Sequence, residues 1–360
     1  MQTSFTCRQA TQEDSQYETY DHTKLSAINT CPTWGILRYV MHKRMGEAGR
    51  AMALEAGSAM HECFSYIRLI SLMNQYNHDE EFQDNLWLHH GGRLFGDRLS
   101  VIGDAIADAA DLMDVAKRGS IAVLDTSGYY DDPRDKRRTL SNLEECIYAY
   151  INKWRWDHKV WMRDPTNPRS DVGIEIPFDV VVQLVGDGPY ITFRLTGRVD
   201  GIHYNTAGDL VIHDNKTASR LNDAWSQSFL LSHQITGYCI AASVFTAEPV
   251  HKAEILGLSV PLPKSYEFGG YIRETVSRHN YHYQQWANWL VHTITLARQY
   301  AGNPIDAPKY THSCNRYFRP CSFIPFCDSE ASEQRIILTE MVDDEWSPLG
   351  KPILDGVGNE

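Results

Sequence analysis

Three successive apolar stretches with a two-residue period, followed by a helical pattern and a fourth such stretch, limit what this chain can fold into. They read GIEIPFDVVVQLVG, PYITFRLTGRVDGIHY and DLVIHDNKT, then a helix over about 225–245, then KAEILGLSVPL. Short turns between strands make a meander, and a helical crossover returns the next strand parallel. The expected class is α/β, with a mixed central sheet flanked by helices. FGGYIRETV adds a shorter strand, and residues 279–300 read as a long aromatic-rich helix. Upstream, residues 1–24 read as a loose polar lead-in. Ser26 or Thr30 starts a helix, with Pro32 in its first turn. A helix beginning near Gly57 or Ser58 runs to about 75. More helix covers 80–160, broken by GYYDDPRDKRR, and its last segment is capped at Ser141 to Glu144. A loop is expected at about 163–171. The division is therefore 1–170, a helical region with Cys31 and His61; 171–300, the sheet-bearing core; 301–335, a cysteine cluster; and 336–360, a polar tail.

Composition narrows the class. The chain of 360 residues is 42% hydrophobic and 22% charged, enough for a sizeable core. The absence of an ~18-residue apolar run argues against a membrane span. The first residues lack a basic n-region and an apolar h-region, so the cytoplasm is the expected location. A formal net charge of −12 argues against a protein that coats nucleic acid, though not against an enzyme that meets phosphates locally. The local positive charge available is Arg38, Lys43, Arg44 and the loop carrying Arg134, Lys136, Arg137 and Arg138.

The stretch Thr196 to Thr217 concentrates the chemistry. Two strands joined by a turn at Asn205 to Gly208 deliver Asp200, then Asp214-Asn215-Lys216, at what read as strand ends. Alternation puts Asp214 and Lys216 on one face. Paired carboxylates hold a divalent cation, and a lysine beside them steadies an anion. Taken singly, each residue has an ordinary role: Asp200 caps a turn, Asp214 and Lys216 pair at a surface, His61 bonds within its helix.

In combination, GSAMHECF, GRVDGI, VIHDNKTA and HQITGY resemble the PD-(D/E)XK nuclease superfamily, closest to its RecB-like exonuclease branch with iron–sulfur members. The resemblance spans about residues 26–327, with unmatched helical inserts, and implies a restriction-endonuclease-like core of helix, three strands, helix and strand. It implies that His61, Asp200, Asp214 and the Asn215 carbonyl bind Mn²⁺ or Mg²⁺, and that Lys216 orients water or stabilises charge at phosphorus. Gln234 and Tyr238, on one helical face, are implied to meet DNA. Glu175 is an acid of the first strand whose role the resemblance leaves open.

Eight cysteines occur, three of them in Cys314-x6-Cys321-x5-Cys327. The resemblance adds Cys31 as the fourth ligand of a [4Fe–4S] cluster clamping the N- and C-terminal parts. The gap between Cys314 and Cys321 is longer than the family's commoner one. Structural zinc, on the four thiolates or on three plus His312, remains an alternative. The expected activity is a Mn²⁺- or Mg²⁺-dependent deoxyribonuclease, an exonuclease acting at DNA ends or single strands in repair, recombination or phage DNA processing. No P-loop is present, so a helicase, recombinase or single-strand-binding partner would be another chain, and a ring assembly is conceivable. The alternatives are a non-catalytic DNA-binding module that keeps the fold, and a zinc-stabilised structural protein.

Overall fold

The computed structural model describes residues 3–46, 52–155, 157, 159–163, 172–186, 190–218, 220–260, 270–316 and 319–347. Of the loop expected at about 163–171, only Arg163 is described, in a bridge to Val172; the rest lies outside the described residues. The protein is mixed α/β with a mixed central sheet flanked by helices. Its six long strands are β1 (Ser4–Gln9), β2 (Ile174–Val185), β3 (Ile191–Tyr204), β4 (Leu210–Ala218), β5 (Lys252–Ser259) and β6 (Gly270–Ser277). They neighbour one another in that order. β1 pairs antiparallel with β2, β3 with β4 and β5 with β6, while β4 and β5 run parallel. No helix among the described residues is long and apolar enough to cross a membrane.

The chain divides into two compact units. The first comprises residues 1–49, 177–197 and 279–360. Its lead-in is not loose: Ser4 to Gln9 alternate in exposure and pair with Val180 to Val185. α1 (His22–Thr30) is capped by Asp21, which accepts from the Lys24 N–H at 3.0 Å. Cys31 then breaks the helix in an extended conformation, and Pro32 opens the short turn Pro32–Gly35. That turn packs hard on α1, where a Cβ on Gly35 would stand 2.4 Å from the Ile28 backbone nitrogen.

Residues far apart in sequence meet within this unit. The Thr33 hydroxyl donates to the Ala307 and Pro308 carbonyls at 3.0 Å. Lys43 and Arg44 pair antiparallel with Asp343 and Val342. The Trp346 indole donates to Asp21 at 2.8 Å. Leu37, Phe323, Phe326 and Met341 form a small core, with Cys321 and Cys327 packed against it. The tail at 336–347 is thus built in, first as the end of a helix over Ala331–Glu340 and then as Val342–Asp343.

The second unit, residues 50–176 and 198–278, holds a separate core. Its described helix α2 runs Met52–Gln75, so Gly57 and Ser58 lie inside it rather than at its start. α3 (Leu112–Thr126) and α4 (Leu140–Trp154) pack nearby. α4 is capped by Thr139, which accepts from the Asn142 N–H, two residues before the expected cap. The crossover from β4 to β5 is two helices, α5 (Asp223–Gln227) and α6 (His233–Thr246), because Ser232 caps a fresh start.

Candidate metal centre

Helix α2 brings His61 to the sheet of the second unit. Gly57, one turn earlier, permits the approach: a Cβ there would stand 3.2 Å from the Thr217 hydroxyl on β4. His61 Nδ1 lies 3.3 Å from Asp200 Oδ2. Ser65, one turn on, donates its hydroxyl to Glu175 Oε1 at 2.8 Å. One ligand atom each of His61, Glu175 and Asp200 falls within 4.8 Å of the others. A nitrogen and two carboxylates at this spacing form a candidate metal-binding group.

Asp200 and Asp214 do not sit at strand ends. Both are buried well inside β3 and β4. The Asn215 backbone N–H donates to Asp200 Oδ2 at 2.7 Å, which ties the two acid-bearing strands at the site. Asp214 Oδ2 is 2.6 Å from Lys216 Nζ, as two side chains on one strand face should be. Asp214 stands outside the His61, Glu175 and Asp200 triad, although it feels the charge of Asp200 and His61.

The carboxylates differ in electrostatics. Burial disfavours charge on Asp200, but His61, Lys216, the Asn215 N–H and Arg68 outweigh it and hold its pKa below the usual range. Burial and the neighbouring Asp200 raise Glu175. Burial also raises Asp214, with Asp200 adding to it and Lys216 opposing. Lys216 is disfavoured by burial yet ends raised, because Asp214 and Asp200 surround its ammonium.

Glu175, whose role the resemblance leaves open, is central here. It adopts φ +50°, a left-handed conformation costly for a side chain with a Cβ. Arg93 donates to its carbonyl at 3.0 Å, and Arg198 lies 3.6 Å from Oε2. Strain of this kind persists where surrounding contacts over-determine it, and it clusters at functional sites. A cleft of about 530 Å³ opens beside these groups, lined among others by Ser58, His61, Glu175, Arg198, Lys216 and Thr217.

Gln234 and Tyr238 behave as an i, i+4 pair on α6, with Gln234 Nε2 donating to the Tyr238 hydroxyl at 2.9 Å. Burial raises the Tyr238 pKa, and Asp214, Asp200 and Glu175 raise it further, so the phenol shares the acids' neighbourhood.

A second group, His203, His213 and Glu254, also brings ligand atoms within 4.8 Å. The Lys159 ammonium stands 2.7 Å from Glu254 Oε1 and 3.4 Å from His203 Nε2, so a cation already serves these groups. They continue a buried polar network. His213 Nδ1 is 3.1 Å from Glu254, Arg273 bonds Asp157 at 2.7 Å, and the Tyr150 hydroxyl donates to Asp157 at 2.7 Å. At its other end His213 Nε2 lies 3.3 Å from Asn215 Oδ1.

The chain matches no family model and no curated protein.

The cysteines lie in the first unit. Burial raises Cys321, and burial pushes Cys327 up to about 11. Cys321 feels the charge of Cys31 and Cys314, and Cys327 feels all three others, with Lys309 opposing. The Cys321 N–H donates to the Cys314 carbonyl at 2.7 Å. Among the described residues no three cysteine sulfurs stand within 4.8 Å of one another. His312 stacks on Tyr310 instead of joining such a group.

Five of the seven basic residues that supply the local positive charge are held in ion pairs or close to acids. Arg38 pairs with Asp344 at 2.8 Å and Lys43 with Asp343 at 2.6 Å, while Arg44 lies 3.7 Å from Asp344. In the 134–138 loop, Arg134 pairs with Asp132 and Arg138 with Asp135. Sequence reasoning also missed Ser65, Arg68 and Arg198. The signal for the first two was their spacing of four and seven from His61, which puts polar groups on His61's own face of an otherwise apolar helix.

Proposed function

We propose that the chain is a metal-dependent nuclease of the PD-(D/E)XK type, hydrolysing phosphodiester bonds of DNA ends or single strands. The observation that carries this reading is the 3.3 Å approach of His61 to Asp200, with Glu175 in the same group and Lys216 lining the adjoining cleft. These residues come from helix α2 and from strands β2, β3 and β4 of the mixed sheet, which supports the reading. His61, Asp200 and Glu175 would hold Mn²⁺ or Mg²⁺, with Asp214 and the Asn215 carbonyl completing the set. Mixed nitrogen and oxygen donors suit these ions, and histidine favours Mn²⁺. Such a cation supplies positive charge toward phosphoryl oxygens and makes water more acidic. Lys216, held against Asp214, directs its remaining donors to charge growing at phosphorus. Arg198 offers a planar fork to a backbone phosphate, and the Gln234–Tyr238 pair fixes a phenol beside the acids.

Cys31, Cys314, Cys321 and Cys327 are proposed to hold a [4Fe–4S] cluster. Thiolates on a single zinc at ~2.3 Å lie about 3.8 Å apart, whereas ligands of a cubane sit on separate irons and stand wider. Four thiols of one unit that neighbour one another without three of them drawing together within 4.8 Å are compatible with the wider cluster. In this reading the cluster joins the ends of the chain and takes no part in hydrolysis.

Asp214→Ala and Lys216→Ala test the activity. Each should lose Mn²⁺-dependent cleavage of end-labelled single-stranded DNA while keeping a wild-type circular dichroism spectrum. Undiminished cleavage by both rejects the nuclease assignment. DNA binding without cleavage by the wild-type protein, across a Mn²⁺ and Mg²⁺ series, selects the non-catalytic binding module.

A further inference from the structure

Arg68 is fully buried on helix α2, seven residues after His61 and so on the same helical face. A guanidinium taken out of water costs several kcal/mol unless strong partners replace its hydration. Among the described residues no carboxylate lies within the 4.0 Å of an ion pair. What it meets is the metal centre's own framework. One terminal nitrogen donates to the Asp200 backbone carbonyl at 3.3 Å, and the other donates to Asn215 Oδ1 at 2.6 Å. Its face lies over the Trp161 ring, 5.2 Å from the centroid. His213 Nε2 approaches the same Asn215 oxygen at 3.3 Å, so that oxygen is held from two sides.

Three elements therefore meet at one planar group. The helix supplies His61, β3 supplies Asp200 and β4 supplies Asn215. We propose that Arg68 is the positioning residue of the metal centre, locking these three elements in the geometry that ligates the cation. The inference rests on the metal-binding reading above. The locked Asn215 in turn aims its backbone N–H at Asp200 Oδ2, 2.7 Å away. The carboxylate is thus held before any cation arrives. A leucine here would fill the space without crossing between strands, and a lysine has no fork to reach two acceptors at fixed spacing.

Charge and geometry make opposite predictions, so the test is sharp. A buried positive charge repels a second cation, and by Coulomb's law alone removing Arg68 should tighten Mn²⁺ binding. Loss of the clamp should weaken it. Mn²⁺ affinity is to be measured by isothermal titration calorimetry on the purified full-length protein with its cysteine site loaded. Melting temperatures are taken in chelator to follow folding separately. Arg68→Met is expected to weaken Mn²⁺ about 10–100-fold, the usual effect of removing a group that orients metal ligands. Arg68→Lys should fall between it and wild type. Asn215→Leu keeps the backbone carbonyl and N–H, and should reproduce the Arg68→Met loss. The double variant should add little, because both changes remove one clamp.

Unchanged or tighter Mn²⁺ binding by folded Arg68→Met overturns the proposal. If that variant does not fold, unchanged binding by Arg68→Lys does the same. Asp200→Asn separates this failure from failure of the metal reading. Should Asp200→Asn bind Mn²⁺ as wild type does, the centre itself is wrong. Should it lose binding while the Arg68 variants do not, only the clamp is wrong.

Discussion

Glu175 holds a conformation that its side chain alone would avoid, within reach of His61 and Asp200. Glu175→Gln keeps the Ser65 hydrogen bond and the shape while removing the charge. About a tenfold loss of Mn²⁺ affinity, with a melting temperature within a few degrees of wild type, is the expected result by titration calorimetry. Unchanged affinity would remove Glu175 from the ligand set. At this scale, what could be read from sequence was what sits in compact motifs. His61, Asp200, Asp214, Lys216, Gln234 and Tyr238 each stand in a short recognisable stretch. Arg68 and Ser65 do not, because each polar residue within FSYIRLI reads as a tolerated exception until the residue opposite it is known. The basic side chains were misleading for a related reason. Arg38, Lys43 and Arg44 look available along the chain, but Asp343 and Asp344, three hundred residues later, neutralise them.

Elements were more legible than their junctions. All three strands of the meander, the parallel return and the long helix over Asn280–Tyr300 follow from periodicity, which records the side that each element buries. The strand Ser4–Gln9 was hidden, because an edge strand with exposed polar residues carries little apolar signal. The acids read as terminal because the apolar runs stop near them, whereas the strands continue through them by burying charge in a shared site. The turn Pro32–Gly35 yields a prediction at this scale. Gly35→Ala gains about 1 kcal/mol of helix propensity but places a methyl 2.4 Å from the Ile28 backbone nitrogen, which cannot move aside alone. The clash should dominate and lower stability by about 1–3 kcal/mol in a denaturant melt. It should also lower the iron bound per chain, because Cys31 opens that turn. Full iron content with lowered stability would leave the clash and remove Cys31 from the proposed cluster.

Stability of the molecule should depend on pH through imidazoles held away from water. Burial drives His203 down to about 4, and His90 and His213 down to about 3. The unfolded chain takes up these protons near pH ~6.5 and the folded chain does not, so stability falls as pH drops below that value and continues falling to about 4. Each imidazole contributes about 1–2 kcal/mol between pH 7 and 5. Urea midpoints at those two values should differ in that direction, and His203→Gln should shrink the difference. Equal midpoints would mean that these rings reach water. Purified without oxygen, the protein should be brown with absorbance near ~400 nm, and Cys327→Ala should bleach it; a colourless, zinc-containing preparation would select the other metal.

Asp21, Thr33, Lys43 and Arg44 find partners in segments translated more than two hundred and fifty positions later, at Trp346, at Ala307 and Pro308, and at Val342 and Asp343. On a ribosome, the stretch that completes the sheet-bearing unit at Arg278 emerges first, and Ser4 to Gln9 already have Val180 to Val185 to pair with, while Thr33, Lys43 and Arg44 still wait for theirs. On the proposed cluster reading, a chain stalled before Cys327 lacks one of the four thiolates, so loading would belong to the finished polypeptide.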